Sequence, residues 1–427
     1  MTPQSSFMIL APVDTGRVEE LRRILASMNT APGRADANNS LLPFGRFDVI
    51  HFSRVVILDD PTVNDIEVYG VPRRSYPLYL AMLADVDGNA DDFLAQLVQH
   101  SSKGLRTIFS CCQPAPGDDL KAWMEQYRVE PAANYINWRG RTVRQLREEA
   151  ALAVYLQQKH ADVAGKPPSE MHRTLRGYVD AEISAGRLHL TPEARTPIGW
   201  KIGNLANLIG VPLAVLLLSP FLLLYLPFFA VILRSKERHD PEICPVPEST
   251  HAAKLSSLED HYVANQFSAM GTLKPGLFRR STIRFILWLL DYTARHIYNR
   301  GHLARVSTIH FARWVFLDQK QRLLFASNYD GSLDSYMDDF INKVAFGLNV
   351  VFSNGVGYPR SDWLILGGAK NEQKFKYFIR RHELATEVWY SAHPGLTASD
   401  LERNTRIRQG LETSLSDEEA SEWLALL

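Results

Sequence analysis

HFSRVVILDD at 51–60 and HFARWVFLDQ at 310–319 decide how this chain is read. Both segments are β-branched and aromatic, the composition of a strand. Each is followed by an Asp-Gly pair, in DGNADDF at 87–93 and in DGSLDSYMDDF at 330–340. In both places the Asp-Gly lies after a third strand-like run and before a helix-like one. One accidental match is easy, but two in the same slots mark an internal repeat.

Working outward, the first copy reads as strand 7–13, helix 15–28, strands 47–58 and 76–86, helix 90–100 and strand 105–111. The second reads as strand 263–273, helix 281–297, strands 306–317 and 322–329, helix 333–344 and strand 348–352. The order is βαββαβ in each, a ferredoxin-like unit. The expected fold is therefore α+β: two tandem ferredoxin-like units paired into a pseudo-dimeric α+β barrel. The first unit covers 1–117 and the second 261–356. Between them lie a helical insert (118–204), an apolar membrane hairpin (205–236) and a connector (237–260). A helical extension, 357–427, ends the chain.

The apolar stretch, LIGVPLAVLLLSPFLLLYLPFFAVIL at 208–233, has no charge in its 26 residues. That is long enough to span a bilayer, which takes about 20 residues. A single span would place the two copies on opposite faces, where they could not pair. Pro212, Ser219-Pro220 and Pro227 interrupt the run, and proline bends or breaks a helix. Two arms of about 12 residues would each reach roughly 18 Å, one leaflet. The reading is a monotopic hairpin with Leu216, Pro220, Phe221, Leu224, Pro227 and Phe228 in lipid. A true span and a protein-buried segment are the alternatives. The expected location is the membrane, on its cytoplasmic side.

Lys+Arg and Asp+Glu are 47 each, so no basic field draws the chain to nucleic acid. Cys111, Cys112 and Cys244 have no metal spacing and read as free thiols in a reducing compartment. The N-terminus has no basic n-region of a secretory signal.

Arg54 and Arg313 are the most informative charges. Each alternates with apolar residues, Phe52 and Val56 in one copy and Phe311 and Val315 in the other. A guanidinium on an apolar face needs an anion. That is either a structural carboxylate, Asp87 or Asp330, or the carboxylate of a ligand. His51 and His310 point to the opposite face, as satisfied core histidines or as ligand contacts. His310 and Arg313 therefore do not meet unless a bulge intervenes. The second copy has Asn328-Tyr329-Asp330 where the first has Asp85-Val86-Asp87, so a specialised site is expected in the second half. His382 and His393 are candidate metal or haem ligands, although a lone histidine usually is not one. No HExxH, CxxCH, GxSxG, P-loop or GxGxxG site occurs.

Tandem units with a His/Arg-bearing second strand and an Asp-Gly turn resemble the dimeric α+β barrel superfamily. In layout they resemble its chlorite dismutase and dye-decolourising peroxidase group. That resemblance implies haem b, with Arg313 and Asp330 as distal groups, His310 beside them, and His382 or His393 on the iron. Arg54, His51, Asn328 and Tyr329 would line the ligand. The group's GxxDG signature is reduced here to the Asp-Gly of SNYDG at 327–331, and the helical insert and apolar stretch are foreign to it. The function this implies is a membrane-associated, peroxidase-like oxidoreductase. Its partners would be membrane lipid and an apolar or fatty-acid-like small molecule. A non-catalytic lipid-binding or adaptor protein is the alternative, and a cofactor-free monooxygenase a third. A homo-oligomer stays open.

Overall fold

The computed structural model describes residues 1–298, 303 and 306–427. Eight strands carry the two main sheets: β1 (Gln4–Pro12), β2 (Ile50–Leu58), β3 (Tyr79–Asp87), β4 (Ala133–Ile136), β5 (Ala264–Thr272), β6 (Ile309–Leu317), β7 (Arg322–Asp330) and β8 (Thr386–Ser391). The helices that matter below are α1 (Val18–Ala26), α2 (Ala90–Phe109), α3 (Val143–His160), α4 (Pro168–Ser184), α5 (Ile198–His239), α6 (Leu277–His296), α7 (Leu333–Phe352), α8 (Glu372–His382) and α9 (Ala398–Leu411). The class is α+β.

The sheets have the order β1-β3-β2-β8 and β4-β6-β7-β5, with antiparallel pairing throughout. Each takes its short edge strand from the other half of the sequence. After α2 the chain touches its own sheet, where Leu10 N donates to Tyr127 O at 2.8 Å and Val129 N to Met8 O at 3.0 Å. It then crosses to become β4, paired with β6. The second half does the same: Leu384 N donates to Ser268 O at 2.8 Å, and the chain crosses to pair β8 with β2.

The two-residue period of the strands separates the cores. Met8, Leu10, Val56, Leu83, Met270, Val315 and Leu324 pack between the sheets. The outer face of the first sheet is covered by α1 and α2. The outer face of the second is covered by α6, α7 and α8. A third layer joins α3, α4 and α9, centred on Leu152, Leu156, Leu175 and Ile407. The helical insert and the C-terminal extension thus pack on each other.

Three expectations need correction. Residues 105–111 and 348–352 do not form closing strands; α2 and α7 run through to Phe109 and Phe352. Both helices kink at their twelfth residue, at Ser101 (φ −134°) and Val344 (φ −138°). Past the kink the apolar residues of LRTIF keep helical spacing and stay on the sheet. The true fourth strands are β4, inside the expected insert, and β8, in a stretch expected to be helical.

The third correction concerns the hairpin: α5 is one continuous helix of 42 residues through all three prolines. Pro220 cannot donate to the carbonyl four residues back, at Leu216. The Ser219 hydroxyl donates to that carbonyl instead, at 2.7 Å. Side-chain repair of this kind is how prolines persist inside apolar helices. The Ser-Pro pair read as a turn is the splice that keeps the helix whole.

The repeat also reaches further than the matched letters. Tyr135 within β4 is followed by Gly140 and Thr142 as Tyr390 within β8 is followed by Gly395 and Thr397. Asn137 N donates to His310 O (3.0 Å) as Ala392 N donates to His51 O (2.9 Å). The two glycines hold φ of +96° and +88°, where a side chain would be strained. Thr142 and Thr397 both open their helices with a capping box.

Candidate functional site

The bulge needed to bring histidine and arginine together is present in both copies. The register of β2 against β3 shifts between Ile50 and Phe52, and that of β6 against β7 between Ile309 and Phe311. The residues at the shifts are His51 and His310. An extra residue re-aims its side chain and everything after it. Both rings meet in one buried cluster at the end of the space between the sheets. His51 lies 5.5 Å from Phe311, and His310 lies 5.1 Å from Phe52. His393 sits between them, 6.0 Å from His51 and 6.1 Å from His310. Trp389 stacks on Phe52 at 5.3 Å.

Each strand histidine is fixed by its own aspartate. His51 Nε2 donates to Asp87 Oδ1 at 2.9 Å, and His310 Nε2 to Asp330 Oδ1 at 2.6 Å. The second carboxylate oxygens accept the first backbone N–H of a helix, Val143 N in α3 and Ala398 N in α9, both at 2.8 Å. A carboxylate suits that end of a helix. The Asp-Gly turns therefore tie each histidine to the helix that follows the exchanged strand. Among the described residues His393 has no hydrogen-bond partner on either ring nitrogen. Burial, with His51, His310 and Arg147 adding to it, holds its pKa well below the usual range, so the ring is neutral.

Arg54 and Arg313 lie deeper, between the sheets, and each reaches across to the opposite one. Arg54 donates to Phe267 O (2.7 Å), Ser268 Oγ (2.9 Å) and Ser327 O (2.7 Å), and to Asn328 Oδ1. Arg313 donates to Phe7 O (2.9 Å) and Ala84 O (3.0 Å), and to Asp85 Oδ1. Asn328 Nδ2 donates to Asp85 Oδ2 at 2.9 Å and closes the chain. The carboxylate partner is thus Asp85, and not Asp87 or Asp330. Alternation along β3 puts Asp85 on the face of Leu83, and this was the signal available in the sequence. Burial lowers the Arg54 pKa to about 9, against the pull of Asp85. The cavity these groups line is about 10 Å³, room for about one water and for no ligand head group. Tyr329 faces the other way and stacks on Tyr336 at 4.1 Å.

His382, in α8, donates from Nδ1 to Phe378 O at 2.8 Å. Its Nε2 has no partner among the described residues. The ring borders an apolar cavity of about 50 Å³ with Met270, Phe340 and Phe378. A larger cavity, about 270 Å³, lies between α6 and α7 on the outer face of the second sheet. Ile286, Leu290, Trp314, Phe340, Gly347 and Val351 line it.

These residues do not fit a haem. Haem iron needs an axial side-chain ligand, and the propionates need cations. Neither stands among the described lining of the large cavity. His310, Arg313 and Asp330, expected as one distal set, are held by Asp330, Asp85 and the start of α9, and none of them lines that cavity.

Of the sequence candidates, the structure brings together His51, His310, Asp330 and His393, and separately Arg54, Arg313 and Asn328. His382 and Tyr329 stand apart. The residues expected in lipid lie on the open side of α5: Leu216 is 67% exposed, Phe221 70%, Leu224 71% and Phe228 62%. Both ends of α5 are held. Asn207 Oδ1 bonds His296 Nε2 at 2.8 Å, while Phe229 meets Phe278 at 5.2 Å. Glu237 is buried and accepts from Trp363 N and Leu364 N at 2.8 Å each. The helix therefore runs antiparallel along α6. Neither a model of a known protein family nor a curated protein matches the chain.

Proposed function

We propose that this protein is a monotopic membrane protein that binds an apolar small molecule, built on two ferredoxin-like units that exchange their fourth strands in a pseudo-dimeric α+β barrel. One observation carries the reading: a helix that is uncharged over 208–233, exposed along that stretch, and pinned on both sides of it to one folded body. A spanning helix must put its ends about 30 Å apart across hydrocarbon. Here α6 lies alongside with exposed Arg284 and half-buried Arg280, Asp291 and Arg295, charges that hydrocarbon does not tolerate. An in-plane helix, sunk to roughly 5–10 Å at the headgroup boundary, meets both conditions. Burying six of its leucine and phenylalanine side chains contributes on the order of 10 kcal/mol, at about 1.5–3 kcal/mol each. The exposed Phe285, Trp288 and Phe346 extend the apolar face, and exposed Arg284 and Lys201 suit anionic headgroups.

The test is co-sedimentation with vesicles of mixed zwitterionic and anionic lipid. Replacing Leu216, Leu224 and Phe228 together by Glu is expected to reduce binding more than tenfold and leave the fold intact by circular dichroism. Undiminished binding, or labels at Gly199 and His239 reporting opposite faces, would refute the in-plane reading. Self-association of unbound protein through α5 would do the same.

A further inference from the structure

We infer that the cavity between α6 and α7 is a binding site for a neutral, membrane-soluble hydrocarbon carrying one hydrogen-bond-accepting oxygen, such as a long-chain alcohol, aldehyde or ketone. The inference rests on the membrane reading above for its source of ligand.

Size comes first. At about 270 Å³ the cavity is far larger than a packing defect, and sits just under the usual ligand range of roughly 300–1,000 Å³. It accommodates a chain and excludes a whole diacyl lipid.

Chemistry comes second. No described lining residue is charged. Among the described residues a bound carboxylate would find no counter-ion in this lining, which is costly, so the inferred occupant is uncharged. The lining is apolar except for Thr293, Tyr298 and Trp314. The hydroxyl of Thr293 is already committed to Leu290 O at 3.1 Å. Trp314 is 5% exposed, and its indole N–H has no partner among the described residues. A buried donor left unmade costs about 1–3 kcal/mol. An acceptor oxygen on the ligand would remove that cost.

Access comes third. Phe346, at 56% exposure, belongs to both the lining and the exposed apolar surface. Phe285 and Trp288 of α6 are exposed as well, and α5 packs against α6. With α5 in the leaflet, a dissolved molecule would enter at Phe346.

The experiment measures binding of a radiolabelled long-chain methyl ketone to the full-length protein. One arm presents it in solution and one in vesicles; the alkane of equal length is the control. Two variants read the site. Gly347 lines the cavity, and a Cβ added there would meet nothing within 4 Å. Gly347→Leu should therefore fold, fill the cavity and reduce ketone binding at least tenfold, with vesicle co-sedimentation unchanged. Trp314→Phe should weaken the ketone about tenfold and leave the alkane unaffected.

Ketone binding in solution by a protein that ignores vesicles would sink the membrane reading and keep the site. Vesicle binding without saturable ketone binding would overturn the site alone. Equal losses of ketone and alkane in Trp314→Phe would overturn the hydrogen bond to the ligand. Full ketone binding by folded Gly347→Leu would place the ligand elsewhere.

Discussion

His393 shows what single residues contribute here. Its ring is buried against Phe52, His51 and His310 with both nitrogens unpartnered among the described residues, so the folded protein keeps it neutral. His382 is also held below its usual pKa by burial, although Asp60 and Asp65 oppose the shift. The sign of the consequence is fixed. Above about pH 6.5 both folded and unfolded histidines are neutral, and nothing is lost. Below it the unfolded chain takes protons that the folded one refuses, so stability falls as pH falls. The slope approaches about 1.4 kcal/mol per pH unit for each such ring. Urea unfolding at pH 8, 7, 6 and 5 is expected to show this decline, and His393→Phe to flatten one ring's share. Identical slopes in the variant and the parent would mean that His393 is protonated in the fold. The buried arginine pair works by geometry: two guanidiniums and Asp85 share one interior, and each guanidinium is satisfied by carbonyls of the opposite sheet. Replacing such groups singly leaves a buried charge unpaired.

At the scale of elements, α5 turns on one hydroxyl. Ser219→Ala leaves the Leu216 carbonyl without its donor, a loss of about 1 kcal/mol, and Pro220 then kinks the helix more sharply. The expected readout is a lower helical signal in detergent. Ser219→Ala combined with Pro220→Ala, which restores the backbone donor, should recover it. No loss in the single variant would show that solvent or lipid repairs the break as well as serine does. The elements also show what the sequence discloses. The six nine-residue strands could be read from their β-branched and aromatic runs, and the repeated His-Phe-x-Arg marks two of them, β2 and β6. The exchanged strands could not. ANYI is four residues long, and TEVWYS follows a helix without a break in its aromatic character. The bulges were invisible for a different reason. A register shift is a property of two strands together, and only pairing shows that β2 carries one residue more than β3 requires. That shift is why His51 and His310 join the interior cluster against their expected face. Asp85 was readable from alternation once Arg313 was placed opposite it, and Trp314 was not, because an unmade hydrogen bond leaves no mark on a sequence.

For the molecule as a whole, strand exchange predicts that the halves hold together without the chain between them. A protease site inserted in 241–247, where the connector lies outside any helix or strand, should allow complete cleavage with no change in elution on size exclusion. Separation of the fragments in native buffer would refute the exchange. Residues 1–260 made alone would lack β8 and expose the edge of β2, and are expected to aggregate. The same arrangement bears on synthesis. Roughly 330 residues separate Leu58 from Thr386, which takes a ribosome some 15–65 s at about 5–20 residues per second. Through that interval β2 is an unclosed edge, while α5 emerges with its uncharged stretch, 208–233, exposed. A nascent chain in this state needs either a chaperone or a bilayer beside it. The order of the sequence hands it to the bilayer first, since α5 leaves the tunnel before β8 exists to finish the sheet.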